Sequence, residues 1–422
     1  MTVIGTTISL LAKYKKAFQL GLGIIVAVLI TVMETQAQDT RGFIYGKVYT
    51  RDNTYQGQLR WGKEEAYWND HFNVSKVAGQ QYEHLRKDSN DENSWLDFDW
   101  NFLSIWENKV GNTHQFTVQF GDLKTIKSYS RKSAVLELKN GSKIRVSGSG
   151  YNDLEPRLRI LDDEIGEISL KWEVVDKVEF LPTPNNLRPN FGKPLYGTVQ
   201  VYRKGSFTGF IQWDHDERLG NDKLDGDNRD GNASIRFESI RSIESGRGGS
   251  TVELHGGRSF FLTGSNDVNS GNRGIIVTVE GVGKIDIPWK VFDNVVFEKD
   301  YKSSGPGYSS YRPPKGLSGT VITYENNRYQ GRIVYDLDEA MDIEFLEGKD
   351  DELEYRIPFR NVKRIRPKNY NYSQVELKNG QELILGDGRD VSDRNDGVLV
   401  FQRGKKDPEY ISWKNVSEIV FD

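Results

Sequence analysis

An all-β fold made of three similar units is what this sequence predicts, and three observations predict it. One frame occurs three times, at Ile44–Glu65, Leu195–Glu217 and Leu317–Glu339: Gly-x-Val, a polar turn, an aromatic, then Gly-x-(Leu/Ile)-x-aromatic and an acidic cluster. Gly57, Gly209 and Gly331 each stand four residues before Trp61, Trp213 and Tyr335, and Glu65, Glu217 and Glu339 follow four residues later. A frame held in register three times marks a structural unit. Apolar and polar residues also alternate at period two, the spacing of a half-buried strand. Finally, 42 glycines and 12% aromatics in 422 residues make a turn-rich, β-leaning composition.

Each unit opens on a hairpin. Val199, Val201, Phe207, Ile211 and Trp213 all fall on odd positions and share one face, with Arg203-Lys204-Gly205 as the turn. The segments Phe120–Ile126, Arg236–Ile243 and Ile357–Ile365 come next, and fit a strand or a single helical turn equally well. A second hairpin spans Ser133–Ser149, Ser250–Ser265 and Ser373–Gly388. Leu136 and Leu138 alternate up to Asn140-Gly141, and Ile144 and Val146 resume beyond it. Gly256-Gly257 and Asn379-Gly380 occupy the same place, and such dipeptides suit a type I′ turn. Each unit closes on a strand through Trp172, Trp289 or Trp413, eight residues before Phe180, Phe297 and Phe421. Ile168, Leu170 and Trp172 alternate on one face of it.

The units run 42–182, with an insert at 66–115, then 192–299 and 315–422. Proline-rich linkers, Leu181–Pro194 and Lys299–Lys315, separate them. About eight short strands per unit imply small barrels or sandwiches. A propeller is disfavoured because the two halves of each unit differ. The units either string out in a line or close on a pseudo-threefold axis.

Residues 1–37 read as an export signal. Lys13, Lys15 and Lys16 precede the apolar run Leu20–Met33, and Thr35-Gln36-Ala37 supplies small residues for cleavage. That run is short of the ~20 residues a bilayer span needs, so no stable membrane span is expected after cleavage; an uncleaved anchor is the alternative. The expected address is periplasmic, envelope-associated or secreted. Beyond Ala37 the chain carries 54 basic and 60 acidic residues, a net charge of −6. An acidic exported chain is a poor nucleic-acid binder, because phosphate neutralisation supplies most of that affinity. With no cysteine there is no disulfide, thiolate metal site or cysteine nucleophile.

Catalytic signals are weak. His71, His84, His114, His215 and His255 recur at no equivalent positions, and no His-Glu-x-x-His or Gly-x-Ser-x-Gly motif occurs. The acidic clusters Gly62–Glu65, Asp214–Glu217 and Asp336–Glu339 fit either a carboxylate pair or turns whose aspartates bond nearby backbone N–H groups. Asp225, Asp227, Asp230, Asp390 and Asp393 are calcium candidates on carboxylate density, although the loop Gly220–Asn232 fails the EF-hand pattern. No other cofactor is implied. The aromatics Trp61, Trp213, Tyr335, Trp172, Trp289 and Trp413 sit in alternating strands and fit a β core. Trp68, Trp95, Trp100 and Trp106 of the insert have no counterparts in the other units, which makes them candidates for a ligand-binding surface.

Gly197, Val199, Gly209, Ile211 and Asp214 resemble the central strands of an Sm-like or SH3-like small barrel, over about 20 residues per unit. The second signature by which Sm proteins bind RNA is not evident. The whole pattern, with its Trp-Asp-x-Asp-Glu repeat, is similar to exported repeat proteins of Gram-negative bacteria. That resemblance implies a fold and an address but no activity. The expectation is a non-enzymatic exported binding or scaffold protein with a protein or glycan partner. The alternative is a carbohydrate-binding or carbohydrate-active protein that uses the insert aromatics.

Overall fold

A computed structural model describes residues 38–77, 113–148, 153–154, 156–185, 187–188 and 190–422, and the export-signal reading lies outside them. The described chain is all-β: thirty strands and eight 3-10 turns of three residues each. From Thr40 onward it forms one body.

Ten strands of 42–182 make one antiparallel sheet. In spatial order they are Thr113–Gln119, His71–Val77, Lys143–Ser147, Ser133–Leu138, Leu123–Ser130, Val175–Phe180, Tyr45–Thr50, Thr54–Trp61, Leu158–Asp162 and Gly166–Leu170. The same neighbour relations recur in 192–299 and 315–422. Tyr196–Val201 lies between Gly205–Trp213 and Phe292–Phe297, and Ser318–Thr323 between Arg328–Tyr335 and Val416–Phe421. Among the described residues each stretch thus has ten strands where the sequence suggested about eight. One addition is a hairpin, Lys223–Asn228 with Gly231–Arg236, in the polar segment expected to be a loop.

The recurring glycines have a steric cause. Gly46 lies opposite Gly57, Gly197 opposite Gly209 and Gly319 opposite Gly331. A Cβ on Gly209 would stand 2.2 Å from the Thr278 carbonyl oxygen, and one on Gly331 2.1 Å from that of Phe401. Neighbouring strands cross so closely here that no side chain fits between them. The inner face is filled from every side: Val48, Leu59, Val74, Leu136, Ile160 and Val178 are all fully buried.

Three local expectations are refined. At the second hairpin only Gly141, Gly257 and Gly380 have positive φ (85°, 82° and 89°), while Asn140, Gly256 and Asn379 do not. The Gly141 N–H donates to Leu138 O and the Leu138 N–H to Ser142 O, both at 2.9 Å. These are type I turns with a G1 bulge, not type I′. The undecided middle segment is both structures in turn: the 3-10 turn Phe120–Asp122 leads into Leu123–Ser130, as do Phe237–Ser239 and Phe359–Asn361 into their strands. The closing strand is interrupted at its tryptophan, because Trp172, Trp289 and Trp413 each begin a 3-10 turn.

The stretches close on one another instead of stringing out. The middle and last share a strand seam, Gly283–Ile287 with Leu353–Pro358. The first and middle meet through Phe43, Ala66, Tyr67, Phe191 and Leu219. Met341 and Ile343 of the last stretch complete the core of the first. Ion pairs, each with at least one buried partner, fasten these contacts: Arg218 with Asp70 at 2.8 Å, Arg60 with Asp222 at 2.7 Å, Arg360 with Asp122 at 2.7 Å, and Lys76 with Glu344.

Gly209→Ala forces the Thr278 backbone to move, and overpacking of this kind costs about 1–3 kcal/mol. The denaturation midpoint should fall accordingly, whereas Gly256→Ala, with open space around its Cβ and no positive φ, should lose less.

Candidate functional site

The strands ending at Trp61, Trp213 and Tyr335 run into one kind of turn. The Trp213 N–H donates to Glu217 O at 2.8 Å and the Glu217 N–H returns to Trp213 O at 2.9 Å; Trp61 with Glu65 and Tyr335 with Glu339 do the same. The reversal requires left-handed backbone: Asp214 and His215 have φ of 47° and 62°, and Asp336 and Leu337 of 47° and 56°. The first stretch places Gly62 there, with φ 63°. Aspartate tolerates this region better than most residues, but a buried leucine does not. The strain at Leu337 is held in place by the surrounding contacts.

Each turn is latched to a distant loop. The indole N–H of Trp61 donates to Asp153 O at 2.7 Å and that of Trp213 to Asp267 O at 2.9 Å, and the Tyr335 hydroxyl donates to Asp390 O. The carboxylates of Asp153, Asp267 and Asp390 accept backbone N–H bonds from Asn73, Asp225 and Glu347. This arrangement sets each loop aspartate beside the turn acids. In the middle stretch Asp214, Glu217 and Asp267 each bring a carboxylate oxygen within 4.8 Å of the others. Asp214 also accepts the Arg273 N–H at 2.6 Å, and the Arg273 guanidinium lies 2.7 Å from Asp216. In the last stretch Asp336, Asp338, Glu339, Glu344, Glu347 and Asp390 line a cavity of about 230 Å³ with Phe345, Arg389, and Gln115 and Thr117 of the first stretch. Arg389 Nε reaches Asp336 at 2.9 Å.

Crowding these acids out of water favours their neutral forms. Burial, then the negative Asp267, Asp216 and Asp214, push Glu217 up to about 8. Burial raises Asp336 to about 7 against the opposing pull of Arg389, and Asp153 to about 6 against its hydrogen bonds from Asn73. Glu65, Glu339 and Asp390 are pushed well above the carboxylate range, first by burial and then by neighbouring acids. Glu217 Oε2 and Glu339 Oε2 are enclosed and have no hydrogen-bond partner among the described residues. Such a cluster either retains protons at neutral pH or exchanges them for a cation.

The structure sorts the residues singled out in the sequence. Asp390 belongs to a cluster. Asp225 and Asp227 lie on the Lys223–Asn228 strand, Asp230 in the turn beyond it and Asp393 on an exposed loop, and none of the four joins the Asp214, Glu217 and Asp267 group. The first aspartates of the turns reach distant backbone: Asp214 and Asp336 accept from Arg273 N and Asp396 N, about 60 positions away. Trp68 forms no surface. It is fully buried, its indole N–H bonds Arg41 O and Thr183 Oγ1 at 3.1 Å, and Tyr308 packs 4.6 Å from its ring. Trp95, Trp100, Trp106 and His84 lie outside the described residues, as does the side chain of His114. Trp61, Trp213, Tyr335, Trp172 and Trp413 are buried core residues. His71 is buried against Phe345, 4.3 Å between ring centres, and His215 pairs with Asp286 at 3.0 Å.

Asp153 and Asp267 were not singled out by sequence reasoning. The signal was there: Asp267 and Asp390 both lie 17 residues after the serine that opens the second hairpin, Ser250 and Ser373. Asp153 lies 20 after Ser133, which hides the correspondence.

No protein-family model matches this chain, and no curated protein is found similar to it. Among solved structures, the crystal structure of the nematode sperm cell motility protein MFP2B aligns over 85% of this chain and 91% of its own, at 7% identity and a TM-score of 0.11. Among the described residues no helix is long and apolar enough to cross a membrane.

The raised carboxyls set a pH dependence. A group that binds its proton more tightly when folded stabilises the fold below its unfolded pKa, and that stability is lost as pH rises through the folded value. For Glu217, Asp336 and Asp153 the loss spans roughly pH 4 to 8, given ordinary carboxyl values near 4. His71, depressed by burial and by Lys284, Arg356 and Arg218, opposes this trend only below its ordinary value of 6.5. In EDTA the thermal midpoint should therefore fall from pH 6.5 to 8, and Glu217→Gln should flatten the decline.

Proposed function

We propose that this chain is an exported, non-enzymatic binding or scaffold protein of the cell envelope, built from three homologous β units. The observation that carries this reading is how the recurring polar groups are used. Asp70, Asp222 and Glu344 stand at equivalent places, and one oxygen of each accepts two N–H bonds from its own turn: Ala66 and Tyr67, Arg218 and Leu219, Ala340 and Met341. Each of these acids also binds a cation from another stretch, namely Arg218, Arg60 or Lys76. The recurring chemistry is therefore spent on fastening units into one rigid body, as in proteins that present surfaces. The signal-like residues 1–37 and the mildly acidic charge support the address.

Asp70→Asn would leave Arg218 and Lys284 buried without their carboxylate. Breaking a buried pair costs about 3–5 kcal/mol, so chemical denaturation should report a loss of that size. A glycan array and a polysaccharide hydrolysis assay test the functional class. Turnover would overturn the reading; binding without turnover would make the partner a glycan, and silence in both directs the search to proteins.

A second reading rests on the Asp214, Glu217 and Asp267 group. Oxygens up to 4.8 Å apart match the span across a calcium ion, whose ligands lie at about 2.3–2.6 Å. Under this reading calcium at pH 7.5 raises the thermal midpoint, by about 2.7 kcal/mol of stability at a hundredfold excess over the dissociation constant. Asp267→Asn should abolish the rise. An equal rise in that variant would place the ion elsewhere.

A further inference from the structure

The seam between the middle and last stretches shows how this chain joins one sheet to another. Gly283–Ile287 and Leu353–Pro358 pair antiparallel, with Lys284 opposite Arg356, Ile285 opposite Tyr355 and Asp286 opposite Glu354. Ile285 and Tyr355 are buried by the junction, at 1% and 3% exposure. One strand of each kind is left over. Among the described residues Gly166–Leu170 pairs along one side only, with Leu158–Asp162, and Gly231–Arg236 along one side only, with Lys223–Asn228.

These two edges match the seam in register. Ile160 faces Ile168 as Val277 faces Ile285, and Gly226 faces Ala233 as Gly348 faces Tyr355. In an antiparallel ladder the N–H and C=O of a residue point to the same side, so register decides which residues turn their polar groups outward. Gly166–Leu170 therefore presents the same outward pattern as Gly283–Ile287, and Gly231–Arg236 the pattern of Leu353–Pro358. Each edge carries one charged residue, Glu167 or Arg236, and the seam strands carry charges as well, but neither edge has a lysine, proline or bulge. Ile168 and Ala233 are half-buried, and Ile165 beside them is 63% exposed.

The other two edges of this type are occupied or guarded. Glu409–Ile411 is three residues long, follows Pro408, and has its Tyr410 hydroxyl bonded to Asp396 O. Thr113–Gln119 puts Gln115 and Thr117 against the last stretch at the acidic cavity.

We propose that Gly166–Leu170 of one copy adds antiparallel to Gly231–Arg236 of a second copy, with Glu167 opposite Ser234, Ile168 opposite Ala233 and Ser169 opposite Asn232. This goes beyond the scaffold reading, because it names a second copy of the chain as a partner. The contact is head-to-tail. Each joined copy keeps one free edge of either kind, so association propagates to a ring if the rotation closes and to a filament if it does not. A seam of three registered pairs is short, and the assembly is concentration-dependent.

The absence of cysteine makes the register directly testable. Three single variants of the full chain are purified, Ile168→Cys, Ala233→Cys and the exposed control Ser206→Cys, and their thermal midpoints are checked against the parent. An equimolar mixture of the first two should form a covalent dimer under mild oxidation at least tenfold faster than Ile168→Cys mixed with Ser206→Cys. Light scattering of the parent should show mass rising with concentration, and Ala233→Lys should suppress that rise. A constant monomer mass, equal cross-linking to the control, or self-association unaffected by Ala233→Lys would each overturn the proposal.

Discussion

Asp70 is the group on which the assembly most depends. One carboxylate oxygen closes its own turn through two backbone N–H bonds, and the other receives Arg218 at 2.8 Å and Lys284 at 3.4 Å. Both Asp70 and Arg218 are fully buried. Removing these charges from water is costly, and the charge is kept only because the partners are in place: burial opposes ionisation, and Arg218 and Lys284 outweigh it, holding the carboxyl below its usual range. Arg218 is itself fixed by Ile211 O at 2.9 Å and by the Tyr67 ring at 4.6 Å. Local turn geometry and the docking of one stretch on another are thus secured by one side chain. Neither can loosen without exposing the other.

The acid clusters follow from that rigidity. The same turn that carries Asp70, Asp222 or Glu344 also carries Glu65, Glu217 or Glu339 a few residues earlier, and the aromatic latch draws a loop aspartate against it. Where Asp70 is matched by two cations, the clusters are only partly matched. Arg273 and Arg389 reach Asp214 and Asp336, while an oxygen of Glu217 and of Glu339 is left without a partner. Similar backbone geometry therefore yields two kinds of carboxylate: Asp70, held charged by Arg218 and Lys284, and Glu217, Glu339 and Asp390, whose neutral forms burial favours. Gly62 in place of the first acid lowers the charge of the first cluster and removes the aspartate from its left-handed position.

Much of the strand pattern was legible. Alternation located the opening hairpin, and the glycines marked the second turn, although the turn type was misjudged because only the glycine, not the residue before it, takes positive φ. The ring of Trp68 looked like a surface aromatic because its segment reads as an insert, although the turn it belongs to recurs at Asp222 and Glu344. Tyr308 from the second linker covers it, a contact no local rule anticipates. The polar run Gly220–Asn232 concealed a hairpin, since its buried face is carried by only Leu224 and Gly226 in the first strand, too few to show an apolar alternation.

What the sequence by itself determined about this protein is its all-β character, its hairpins and the sites of its closest strand crossings. Those depend on period-two alternation and on the few residues that fit a turn or a close approach, and both are local. Only the tertiary structure decided that the stretches close on one another, and which acids meet which cations. Those outcomes depend on loops whose lengths differ, 20 residues from Ser133 to Asp153 against 17 from Ser250 to Asp267, and on desolvation. The charge state of a carboxylate is set by the neighbours that folding brings to it, from about 60 positions away at Asp336 to 148 at Asp70.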